Sequence, residues 1–192
     1  LDLSSGSVIW KTSLKSVPTG RKSSSTPCVI NGKVYAIGSE RIYCLDSKKG
    51  TLIWDQKLPT QEIASSILPH QNKVIVLAGN LRAYDQENGS LLWENHNVKG
   101  KTASPSTWKL KEKEFIVCNS NKSVVVIDPE DGKTFWEGAG GGSSTPVSQG
   151  NLLLVHAKPE EFGLIAYQFA NGKISELWRI PKLTRRTDSS PL

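Results

Sequence analysis

The sequence has no methionine, only three cysteines among 192 residues, and no helix-length amphipathic segment. No run approaches the roughly 18 apolar residues that a membrane-crossing helix needs. The first ten residues lack both the basic start and the apolar core of a secretory signal. Cys28, Cys44 and Cys118 stand 16 and 74 positions apart, with no CxxC and no adjacent pair. That spacing supports neither a zinc site nor a dithiol redox motif. Each cysteine lies in an apolar strand-like run, where it serves as a small hydrophobe. His70, His96 and His156 show no metal-ligand spacing either.

Excess charge is also scarce. The net charge of +6 comes from 24 basic and 18 acidic side chains, and the lysines are scattered. The stretch Lys109-Leu110-Lys111-Glu112-Lys113-Glu114 is mixed in sign, and Arg185-Arg186 is only a pair. A nucleic-acid surface needs a basic stripe, so no nucleic-acid partner is expected. Hydrophobic content of 37% and charged content of 22% describe a globular chain.

Aromatic residues are few, yet tryptophan is the commonest, with six copies against four Tyr and four Phe. Five of the six keep a beat. The pattern Asp-x-x-x-Gly-x-x-x-Trp occurs at Asp2/Gly6/Trp10, Asp46/Gly50/Trp54, Asp85/Gly89/Trp93 and Asp128/Gly132/Trp136. A weaker fifth copy reads Gln168/Gly172/Trp178, with two extra residues before the tryptophan. Successive tryptophans are 44, 39, 43 and 42 residues apart, and only Trp108 stands outside the series. A second element follows each tryptophan: Ser24-Ser25-Thr26-Pro27, Ser65-Ser66, Ser104-Pro105, Ser143-Ser144-Thr145-Pro146 and Ser189-Ser190-Pro191. A fixed period of this length is the signature of a repeat architecture.

Each unit holds four short β-type runs separated by turn chemistry. In the first complete unit these are 27–30, 33–37, 41–45 and 51–54. Asn31-Gly32, Asn88-Gly89, Asp131-Gly132 and Asn171-Gly172 are hairpin signals. Inner runs such as Val124-Val125-Val126-Ile127 and Leu152-Leu153-Leu154-Val155 are apolar at consecutive positions, so their sheets are covered on both faces. Small antiparallel sheets that each need a neighbour on both sides stack radially. The expected fold is an all-β propeller of four-stranded blades. Repeat units are expected at about 1–23, 24–63, 64–102, 103–142 and 143–183, with the start of another at 184–192. In the repeat, glycine supplies a positive-φ turn and aspartate hydrogen-bonds the turn backbone. Tryptophan then lies flat between blades, where burying its roughly 150–250 Å² gives a gross ~4–6 kcal/mol, an upper bound. On this reading Asp46, Asp85, Asp128, Gly50, Gly89, Gly132, Trp10, Trp54, Trp93, Trp136 and Trp178 are structural.

These residues resemble the PQQ-like (quinoprotein-type) β-propeller repeats, whose motif reads approximately Ala-x-Asp-x-x-Thr-Gly-x-x-x-Trp. The resemblance covers essentially the whole chain. It departs at the alanine position, where Cys44 and Val126 stand beside a retained Ala83, and at the threonine, replaced by Ser5, Lys49, Asn88 and Asp131. Such propellers usually close with eight blades, so about four and a half blades of a larger ring are expected here. The nearest flavour looks like the BamB-type envelope propellers. That resemblance implies a non-catalytic scaffold in the periplasm or cell envelope, partnered by another protein and by the remaining blades, with no cofactor. The alternative it implies is part of a dehydrogenase using pyrroloquinoline quinone and calcium. Alcohol-oxidising members stack an adjacent cysteine pair on the quinone, and no such pair exists here. A further alternative is a sensor propeller fused to a kinase or other module.

Two segments stand out from the repeat. The glycine cluster Gly138-Ala139-Gly140-Gly141-Gly142 lacks the lysine of a phosphate loop and is expected to carry the chain from one blade to the next. The insertion Ala157-Lys158-Pro159-Glu160-Glu161-Phe162-Gly163 replaces a tight turn, and Lys158, Glu160, Glu161 and an exposed Phe162 form the candidate interaction loop.

Overall fold

The computed structural model describes residues 1–14, 25–38, 40–59, 64–100 and 102–183. The serines expected at 24, 189 and 190, Pro191 and the Arg185-Arg186 pair lie outside them.

Among the described residues, fifteen strands form four antiparallel sheets in chain order. The first contains β1 (Cys28–Ile30), β2 (Lys33–Gly38), β3 (Arg41–Asp46) and β4 (Leu52–Lys57). The second contains β5 (Leu68–His70), β6 (Lys73–Asp85) and β7 (Leu91–Gly100). The third has β8 (Ser106–Leu110), β9 (Lys113–Asn119), β10 (Ser123–Ile127) and β11 (Thr134–Ala139). The fourth has β12 (Val147–Gln149), β13 (Leu152–His156), β14 (Leu164–Ala170) and β15 (Lys173–Ile180). Each sheet is a blade of consecutive neighbours, as short connections require.

The second blade departs from the four-run expectation, because its two middle runs are one continuous strand. The N–H of Gln86, just past the end of β6, bonds the carbonyl of Asn72, just before its start, at 2.9 Å. The same bond joins Ser47 to Gly32 in the first blade and Phe169 to Asn151 in the fourth. So β6 folds back on itself, and Gly79, at φ +84°, sits at the bend.

Among the described residues the core lies between blades and divides into three clusters, one for each pair of adjoining sheets. Alternation along single strands explains the two-sided apolar runs. Along β6, Val74, Val76 and Ala78 pack toward the first blade, whereas Ile75 and Leu77 pack toward the third. In β10, Val124 and Val126 face the fourth blade while Val125 and Ile127 face the second. Successive side chains of a strand point to opposite faces, so a sheet packed on both sides must be apolar at every position.

Two kinds of turn close the blades. Asn31-Gly32 and Asn171-Gly172 have both residues at positive φ, the two-residue hairpin geometry. Asn88-Gly89 and Asp131-Gly132 differ from expectation. Only their glycines have positive φ, and each closes a wider turn in which the glycine N–H bonds the aspartate carbonyl four residues back. The carboxylate organises that turn: Asp46 Oδ1 accepts the N–H groups of Lys48 and Lys49 at 2.9 and 2.7 Å. Asp85 does the same for Glu87 and Asn88 at 2.8 and 3.0 Å.

Candidate interaction face

Three tryptophans lie on the turn of the following blade. The indole N–H of Trp10 donates to the Ser47 carbonyl at 2.9 Å, that of Trp54 to Gln86 at 3.1 Å, and that of Trp93 to Pro129 at 2.9 Å. Each acceptor directly follows the turn aspartate. The turn glycine lies beneath the ring. A methyl group on Gly50, Gly89 or Gly132 would sit 2.5, 2.6 and 2.5 Å from the Cδ2 atoms of Trp10, Trp54 and Trp93 respectively. Glycine is therefore required twice, for its φ near +70° and for the approach of the indole.

Trp136 and Trp178 are placed differently. The fourth blade has the short Asn171-Gly172 hairpin where a wide turn would receive Trp136, and nothing lies within 4 Å of a Cβ on Gly172. Trp136 is half-buried and leans on Tyr167. Trp178 is 41% exposed on the last outer strand. The glutamine and the two extra residues in the fifth copy mark this difference: the copy keeps its glycine but not its turn. Trp108 is 1% exposed, and its indole N–H reaches the Gly150 carbonyl of the next blade at 3.0 Å.

The Ser/Thr elements form a relay across blades. The Thr26 N–H donates to Ser66 Oγ at 3.1 Å, the Ser66 N–H to Ser104 Oγ at 3.1 Å, and the Ser104 N–H to Thr145 Oγ1 at 3.0 Å. Blade starts are thus bonded to one another through side chains as well as through packing.

Several contributors were not read from the sequence. The Gln86 carbonyl also accepts the Tyr35 hydroxyl at 3.0 Å, and the Gln86 side-chain amide donates to the carbonyls of Gln71 and Lys73 at 3.0 Å each. Asn119, 1% exposed, donates to the carbonyls of Ser144 and His156 and accepts the Gly141 N–H at 2.7 Å. In every blade a register shift falls just before the tryptophan and leaves Ile53, Leu92, Phe135 or Leu177 as the extra, exposed residue. Such a bulge bends the outer strand and blunts its open edge.

The two ends of the blades differ. One carries the tight and wide turns. The other carries the blade-to-blade crossings and the loops between the middle strands. There the glycine cluster bridges blades: the Gly142 N–H bonds the Ser120 carbonyl at 3.0 Å, and the Lys158 N–H bonds the Gly141 carbonyl at 2.7 Å. Gly140 and Gly141 pass so close to the backbone at 121–124 that side chains would collide.

The insertion at 157–163 sits on this end. The N–H groups of Phe162 and Gly163 bond the Pro159 carbonyl at 3.0 and 3.1 Å, the Ala157 N–H bonds the Gly163 carbonyl at 2.8 Å, and the Lys182 N–H bonds the Glu160 carbonyl at 2.8 Å. Lys158, Glu160 and Glu161 are exposed. Phe162 departs from expectation: its ring is half-buried against the core, with the Arg179 guanidinium 5.4 Å above it.

Chemistry-bearing side chains are engaged or scattered. Among the described residues no three His, Cys, Asp or Glu side chains gather as a metal site. Burial pushes the thiol of Cys28 up to about 11 and that of Cys118 to about 12. A thiol held protonated is a poor nucleophile.

Comparison with known proteins places this architecture. The family described as "Outer membrane protein assembly factor BamB" matches residues 1–190. No curated protein sequence matches the chain. Among solved structures, BamB from Moraxella catarrhalis superposes with a TM-score of 0.60 at 19% identity, over 74% of this chain and 45% of that one. The computationally designed Ika4 protein gives 0.56 at 16% identity, over 89% of this chain and 99% of that one. The N-terminal domain of Nup159 gives 0.55 at 13% identity, over 83% and 45%. The chain spans less than half the length of the BamB chain it matches.

Proposed function

We propose, from the premise that the chain belongs to the family of outer membrane protein assembly factor BamB, that it is a non-catalytic propeller segment presenting loops to a protein partner in the bacterial cell envelope. The observation that carries this reading is the 157–163 insertion. It replaces a tight turn, is fixed by backbone hydrogen bonds within itself, to Gly141 and from Lys182 just past β15, and still exposes Lys158, Glu160 and Glu161. A pre-ordered loop loses little conformational freedom on binding. The remaining blades of the same ring are further partners.

The dehydrogenase reading lacks a donor set among the described residues. Asp46, Asp85 and Asp128 each bond their own turn, whereas calcium needs several convergent oxygens. Cys28 and Cys44 are separated by Tyr35 across the sheet, and Cys118 lies two blades away. We assign no quinone and no calcium to this chain.

The test is crosslinking capture from an envelope extract by the native chain and by the Lys158→Ala/Glu160→Ala/Glu161→Ala variant. Loss of one discrete partner in the variant is expected; identical capture overturns the loop assignment. Dye-linked alcohol oxidation after adding pyrroloquinoline quinone and calcium to the protein would overturn the non-catalytic reading.

A further inference from the structure

We propose that the crossover end carries a second contact, a groove between the second and third blades that receives an acidic, extended segment of a partner protein. The groove encloses about 440 Å³. Lys99 near the end of β7 forms one wall, and Asn121 and Lys122 in the β9–β10 loop form the other. The walls are fastened together by the Asn121 N–H, which bonds the Lys99 carbonyl at 2.7 Å.

Charge selects the occupant. Neither Lys99 nor Lys122 has an acidic partner among the described residues. Many other basic groups are neutralised: Lys33 by Glu87, Lys113 by Asp128, Lys133 by Asp131. Glu94, the nearby acid on β7, is held by Arg82 at 2.7 Å and by Asn80 at 2.7 Å, which takes its charge out of play. Among the described residues, Glu137 on β11 is the one carboxylate lining the groove. Two free ammonium groups, flanked by the amides of Asn97 and Asn121, form a donor-rich cleft. A carboxylate-bearing chain fits the potential, and extended backbone fits a narrow cleft between two sheets.

The base is built rather than incidental. The β9–β10 loop that carries Lys122 is tied to the crossing glycines through Ser120 and Gly142. Asn119, at the start of that loop, is buried with both side-chain ends bonded. The cationic groups therefore project from a rigid floor, which limits the ordering cost of binding.

This proposal rests on the platform reading for its occupant, and the experiment separates the two. Fluorescence anisotropy of the native chain is measured with a labelled hexaglutamate peptide, a hexaglutamine peptide, inorganic phosphate as competitor, and a single-stranded oligonucleotide of equal charge. Hexaglutamate is expected to bind and hexaglutamine not. Lys99→Glu/Lys122→Glu should weaken binding by at least about tenfold, and Glu137→Gln should strengthen it by about two- to threefold. Affinity should fall as salt rises. The 157–163 triple variant should bind hexaglutamate as the native chain does. No binding by the native chain, or no loss in the lysine variant with an unchanged melt, overturns the groove and leaves the loop assignment standing. Equal binding of the oligonucleotide, or displacement by phosphate at equal concentration, overturns the peptide occupant.

Discussion

Trp136 meets Tyr167 edge-on, ring centroids 4.9 Å apart and planes at 72°, where the indoles of Trp10, Trp54 and Trp93 lie on a glycine. The Tyr167 hydroxyl in turn donates to the Ala139 carbonyl at 2.8 Å, three residues past Trp136. Sequence spacing alone predicts five equivalent interfaces. Among the described residues three tryptophan contacts are of one kind and a fourth is an aromatic pair.

That difference predicts unequal glycines. Gly89→Ala and Gly132→Ala add a methyl at positive φ and press it into an indole. The φ penalty of about 1–2 kcal/mol and the overpacking cost of about 1–3 kcal/mol should combine. Gly172→Ala meets only open space and should cost about 1–2 kcal/mol. Urea melts of the three variants decide it, and equal losses would contradict the close approach.

Trp93→Ala should lower stability by ~3–5 kcal/mol, since it empties a site in which the ring is 8% exposed. Trp178→Ala should cost less than half as much, because Trp178 is 41% exposed. A loss below about 1 kcal/mol for Trp93 would mean that its burial contributes little.

Ser104→Ala removes the acceptor for the Ser66 N–H across the blade junction. An unsatisfied backbone donor costs about 1–3 kcal/mol. Ser104→Thr, which keeps the hydroxyl, should recover most of that loss. Thermal denaturation of both variants reads the difference, and equal loss in both would point to sterics.

Alkaline pH should destabilise the fold. Burial holds the Cys118 thiol near 12, against 9.0 for a solvated thiol, because its thiolate is disfavoured in the apolar interface. The unfolded chain therefore loses this proton first. The contribution is intact below pH 9 and is lost as pH rises toward 12. Cys28, up to about 11, acts in the same direction. Cys118→Val should flatten the fall in stability between pH 9 and 12 without removing it; an unchanged slope would remove Cys118 from the account.

Much of the fold was legible because the repeat acts through residue types with few substitutes. Only glycine tolerates both the turn and the overlying ring, and only a short acceptor side chain organises the turn as Asp46 and Asp85 do. What was missed acts through backbone. Trp10, Trp54 and Trp93 bond the carbonyls of Ser47, Gln86 and Pro129, three unrelated residues that share only a position. Carbonyls carry no sequence signal. The continuity of β6 was hidden for a similar reason, since a glycine bend reads like a turn. Phe162 looked exposed because its neighbours in sequence are charged, whereas its cover, Arg179, arrives from β15. The lysine groove draws Lys99 and Lys122 from different blades, so no local pattern announces it.

The Ser/Thr relay has a direction: every backbone donor belongs to the earlier blade and every hydroxyl acceptor to the later one. A unit cut between its tryptophan and the next serine therefore carries one outgoing plug and one incoming socket. Copying or excising such a unit whole leaves plugs and sockets matched, while any other cut strands one of each. The chemistry of this seam favours growth and shrinkage of the ring in whole modules, a route by which propeller size can change without redesign of the joints.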